Sequence, residues 1–129
     1  MVSSFDRMTF NIEGILDRLN AKMQGGVSFS DRGVREINEI FLEAMKLLGY
    51  LHDLFMTPNK SLAQQIGTEA RATFKIIDGY FGDHEDRLIH GICVAKSSPI
   101  YLGILDALKG IIGHTLEVSG KVVFLSSHR

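Results

Sequence analysis

The chain has 129 residues, 45% of them hydrophobic and 22% charged, with a formal net charge of −1. That composition belongs to a folded chain rather than a disordered one, and the length suits one domain, 1–129, with its own core. Near-neutral charge without a run of Lys or Arg gives no electrostatic footing for nucleic acid or an anionic bilayer. Cys93 is the only cysteine, so neither an intrachain disulfide nor a cysteine zinc site is available, which suits a reducing compartment. Met1-Val2-Ser3-Ser4-Phe5-Asp6 has no basic segment followed by an apolar core, so no secretory signal is expected. The apolar runs fall well short of the roughly 18–20 residues that cross a bilayer. The expected setting is cytoplasmic, with no insertion into a membrane.

In chain order, Phe5, Met8, Ile12, Ile15, Leu16, Leu19 and Met23 predict an amphipathic helix over 4–23, ended by Gly25-Gly26. Ser30 or Asp31 caps a second helix over 31–56. Its buried side is read as Ile37, Ile40, Phe41, Ala44, Leu47, Leu48, Leu51, Leu54 and Phe55. Thr57 to Ser61, with Pro58, is a turn. A third helix over 60–93 follows from Leu62, Ile66, Ala70, Phe74, Ile77, Phe81, His84 and Leu88, spaced at fours and threes. Val94 to Ser98 is the next turn. Ser97-Ser98-Pro99 then opens a fourth helix over 98–125, apolar at 101, 104, 105, 108, 111, 112, 115, 118 and 122.

Only Pro58 and Pro99 interrupt the helical pattern, and Val122-Val123-Phe124-Leu125 is the lone β-favouring run, read as a fraying helix end. Short connections between long helices make neighbours antiparallel. The predicted fold is all-α: an antiparallel up-down three-helix bundle, 27–125, with an additional N-terminal amphipathic helix, 1–26. Its core is expected from Ile40, Leu47, Leu51, Phe74, Ile77, Phe81, Leu105, Leu108 and Ile112.

Three pieces of the chain carry a resemblance. Val27-Ser28-Phe29-Ser30-Asp31-Arg32-Gly33-Val34-Arg35-Glu36-Ile37 is similar to a Phe-Ser-Glu-Glu-Gly-x-x-Glu-Leu helix start. His84-Glu85-Asp86-Arg87-Leu88, followed by Gly91, is similar to His-x-x-Arg-Leu-x-x-Gly. The fourth helix, from the Ser97-Ser98 cap through Tyr101-Leu102, Ile104-Leu105 and Leu108-Lys109 to His114, looks like the last helix of the same group. In order and spacing they resemble the PhoU-like domain that follows the membrane part of bacterial Na/phosphate cotransporters, from Val27 to about Phe124. The resemblance implies a three-helix unit that pairs with another, connected with phosphate transport and its regulation. A homodimer, and contact with a membrane phosphate transporter, are the partners it implies.

Catalytic signatures are missing: there is no nucleophile elbow, phosphate-cradling loop or His-Glu-x-x-His. No catalytic residue and no cofactor are therefore expected. Metal candidates are Glu39 with Glu43 and Asp86 with His90, each at i, i+4, and a layer in which His114 is level with Asp78 and Glu43, with His84 nearby. PhoU proteins can hold metal through acidic i, i+4 motifs; aligned on His114, this chain has Gly113 where the family carboxylate stands and Glu117 one turn on. Gly103, Gly110, Gly113 and Gly120 lie within about 100° of one another around the fourth helix. Glycine costs about 1 kcal/mol against alanine in a helix interior, so this row, extended by Phe124, reads as a close-approach interface for the N-terminal helix or a second subunit. Two other classes stand beside the phosphate-transport reading: a small metal- or ligand-binding helical bundle, and a pure oligomerisation module.

Overall fold

Ser30 has extended backbone, φ −63° and ψ 158°, and its Oγ accepts a hydrogen bond from the Gly33 N–H at 3.0 Å. This satisfies one of the amides a helix start leaves free, and Asp31 adds a favourable charge to the first turn. In the computed structural model, which describes residues 2–24, 29–91 and 97–127, the capped segment is helix α2, Asp31–Met56. Asn59 caps the next helix in the same way, its Oδ1 accepting from the Leu62 N–H at 2.8 Å, and α3 runs Lys60–Ile89. The first and last helices are α1, Val2–Gln24, and α4, Ser98–Ser127. Among the described residues there is no strand, and Val122 to Leu125 is helical.

α3 ends earlier than its periodicity predicts. Gly91 adopts φ +70°, its N–H bonding the Leu88 carbonyl at 3.1 Å, a left-handed closure that stops the helix after Ile89. The remaining predicted positions, 92 and 93, lie outside the described residues, as do Cys93 and Gly25-Gly26.

α4 is the central element. It touches each of the other three, whereas among the described residues no Cα of α1 comes within 8 Å of one in α2 or α3. Ile40, Leu47 and Leu54 of α2, Ile66 and Ile77 of α3, and Leu105, Leu108, Ile112 and Val118 of α4 are fully buried together. Each such side chain contributes about 1.5–3 kcal/mol on burial. Phe74 and Phe81, predicted for the core, are only half-buried, and Phe74 lies against Gly113. Phe41 and Phe55 are corrected more strongly: they are 47% and 43% exposed, on the side of α2 that faces α1 across an open gap.

Polar pairs define the seam between α2 and α3. Arg32 meets Asp83 at 3.1 Å, Glu36 meets Arg87 at 3.2 Å, Glu39 accepts from the Tyr80 hydroxyl, and Lys46 reaches Glu69 at 2.7 Å. From Glu36 onward, partner numbers fall along α3 as they rise along α2: Arg87, Tyr80 and then Glu69. No described helix is long and apolar enough to cross a membrane.

Candidate functional site

At the end of the bundle where α2 and α4 begin and α3 finishes, five polar side chains are buried together. Glu36 comes from α2, His84 and Arg87 from α3, and Ser98 and Tyr101 from α4. Position explains the clustering. Ser98 lies in the first turn of α4, and His84 and Arg87, three apart, share one face of α3. Gly33 lies against the Tyr101 ring; a Cβ there would sit 3.6 Å from it.

The Arg87 guanidinium donates to Glu36 Oε1 at 3.2 Å, and Arg32 adds a second cation 3.5 Å from the same oxygen. His84 Nε2 and Ser98 Oγ are 2.7 Å apart, and the His84 ring stacks on Tyr101 at 4.7 Å between centroids. Phe29 meets Tyr101 edge-on at 6.2 Å. Glu36 Oε2 and the Tyr101 hydroxyl are buried without a well-formed hydrogen bond, although Tyr101 lies close enough to Glu36 and Arg87 to feel both charges. Burial lowers the His84 pKa, with Arg87 pushing the same way and Glu36 opposing. Burial raises that of Tyr101, and the Glu36 charge raises it further. The cluster is thus a buried ion pair flanked by a neutral imidazole and an un-ionised phenol, an arrangement that positions three helices against one another.

The second feature is apolar. α1 turns Ser4, Met8, Asn11, Ile15 and Arg18, spaced at fours and threes, towards α4. Phe5, Ile12, Leu16 and Leu19 form an adjacent stripe that remains 40–55% exposed. Between this stripe and α2 lies an open slot floored by Ile104, Leu108 and Ile111 of α4. Two adjoining cavities of about 320 and 330 Å³ make it up, with Phe41, Met45 and Leu48 on the α2 wall. The Phe5–Phe55 ring pair, 6.3 Å between centroids, closes one end, and Lys22 lies over Phe29 at the other.

The metal candidates do not converge. Glu39 holds Tyr80, and Glu43 pairs with Lys46 at 3.0 Å. Asp78 pairs with Lys109 at 3.2 Å, and His114 faces Glu117 at 3.4 Å rather than Asp78 or Glu43. His90 Nδ1 donates to the backbone carbonyl of Asp86 at 2.8 Å, not to its carboxylate. His84 belongs to the buried cluster. Among the described residues no three His, Asp, Glu or Cys side chains form a set that could hold a metal ion. The predicted layer fails because Lys46 and Lys109 reach Glu43 and Asp78 first.

The glycine row is divided. Arg18 lies over Gly103 and Asn11 over Gly110, so α1 of the same chain occupies that half; a Cβ at either position would overlap those side chains. Gly113 faces Phe74 of α3, Gly120 faces open space, and Phe124 is 60% exposed. Residue-by-residue reading of the sequence missed Glu36, Arg87 and Tyr101 as one cluster. The signal was available, since each of the three motif pieces quoted above contributes to it. It also missed the slot, because α1 carries two apolar-edged stripes and periodicity does not say which one packs. Comparison with known protein families, with curated proteins and with solved structures finds no match.

Proposed function

We propose that the chain is a non-catalytic, PhoU-like module, associated with phosphate transport or its regulation and acting through protein–protein contacts. In this reading α2, α3 and α4 form the antiparallel up-down unit and α1 is an additional helix laid on α4. The module works in the cytoplasm as a homodimer, in contact with a membrane phosphate transporter, and is held to the membrane only through that partner.

The observation that carries the reading is the meeting of the three motif pieces. Glu36 from the first, His84 and Arg87 from the second, and Ser98 and Tyr101 from the third are separated by up to about 65 positions in sequence, yet share one buried cluster. A coincidental likeness would have no reason to place its matching residues in contact. The test is phosphate uptake by cells with and without the chain, under phosphate limitation and repletion. Altered uptake, or an altered response to limitation, is the expected result; unchanged uptake in both conditions contradicts the reading. The open apolar slot favours a second reading, an oligomerisation module without a ligand, which predicts unchanged uptake and a stable multimer.

A further inference from the structure

We infer that the slot between α1 and α2 is the contact surface for a second copy of this chain, in a two-fold arrangement where each copy inserts its α1 stripe into the other's slot. The inference rests on the paired-module reading above, and it moves the pairing surface from the glycine row to the opposite flank of α1.

Area is the first argument. Phe5, Ile12, Leu16 and Leu19 on α1, with Val34, Phe41, Met45 and Phe55 on α2, each expose 40–55% of their surface. At about 200 Å² per large apolar side chain this bares roughly 700 Å². The largest apolar patch on a typical monomer is about 300–600 Å², whereas a stable pair buries about 800 Å² on each partner. The patch is therefore of dimer size.

The second argument is shape. A two-fold interface uses the same patch on both sides, so that patch must carry its own complement. Here a ridge, the α1 stripe, stands beside a slot that spans Val34 to Leu48, about 20 Å of helix.

Charge decides between a second copy and a lipid surface. On α1 the cations Arg7, Arg18 and Lys22 fall on the flank turned towards α4, with Arg18 over Gly103 and Lys22 over Phe29. Asp6, Glu13 and Asp17 fall together on the outer flank, so anionic headgroups would meet carboxylates beside the open stripe. A net charge of −1 leaves little repulsion between copies.

Sedimentation velocity with light scattering on the intact chain tests this. The wild type should have twice the 14.3 kDa chain mass. Leu16→Glu with Met45→Glu changes two side chains that are 55% and 53% exposed, and should give a monomer of unchanged helical circular dichroism. Met45→Lys alone should weaken the dimer at least tenfold, securing the test if the double variant loses helix. Phe10→Glu, 74% exposed on the far flank of α1, should remain dimeric. A wild type monomeric up to about 100 μM overturns the inference, as does a dimer that survives both slot variants. Monomers that bind phosphatidylglycerol vesicles through this face also overturn it. Unchanged phosphate uptake beside a slot-dependent dimer would sink the transport reading and leave the slot standing.

Discussion

Arg87 and Glu36 show how much one buried pair decides. Taking both ions out of water is costly, and their attraction offsets that cost only while both are present. Arg87→Met should therefore destabilise the chain by about 3–5 kcal/mol in urea unfolding, while Glu36→Leu combined with Arg87→Met should cost clearly less than the two single changes summed. Additive losses would mean that the pair is not coupled. His84 sets a pH dependence whose sign follows from its lowered pKa. The folded state holds the ring neutral, so below about pH 6.5 the unfolded chain binds more protons and stability falls as the solution is acidified. Comparing unfolding free energies from about pH 7.5 down to about pH 5.5 for the wild type and His84→Asn isolates this contribution; a wild type that gains stability relative to the variant on acidification contradicts it. Glu117 makes the opposite case. Lys121, and then His114, hold its carboxyl at about 2, yet all three lie near the surface. Glu117→Ala should leave the urea midpoint nearly unchanged, and a clear loss in the same assay would show that its pairing with Lys121 and His114 matters more than its exposure suggests.

Among the elements, α1 is held differently from the other three. It rests on α4 through a mixed stripe in which Asn11 and Arg18 lie over Gly110 and Gly103, and its backbone approaches no other helix. Gly110→Leu would occupy the space Asn11 uses, so α1 should lift off while α2, α3 and α4 keep their shared core. Limited proteolysis reads this directly: cleavage within α1 should accelerate and cleavage within α2 to α4 should not. Uniform protection, or cleavage throughout, would contradict the separate docking of α1. The start of α2 was legible in the sequence because Ser30 acts locally, through a hydrogen bond to the residue three positions on; Asn59, read only as part of a turn, caps α3 in the same way. The end of α3 was less so, because Gly91 closes the helix within a pattern whose apolar spacing continues through Leu88. Phe41 and Phe55 were misplaced for a related reason: an apolar residue at helical spacing signals a face, not what covers it. The cluster around Glu36 lay beyond local reading, since its ion pair joins residues 51 positions apart.

In the whole molecule two neighbouring features, one buried and one open, do different work. The buried polar cluster sets the register of α2, α3 and α4 inside the chain, and the slot beside α1 offers an apolar surface outward. The candidate ligands Glu43, Asp78 and His114 are dispersed to separate partners. Amide hydrogen exchange on the wild type and on Leu16→Glu with Met45→Glu, at equal concentration, tests the division most directly. The variant should lose protection along Ile12–Leu19 and Phe41–Leu48, while the amides around His84, Arg87 and Tyr101 stay as protected as before. Loss confined instead to Gly120–Leu125, or no difference between the two proteins, would contradict it.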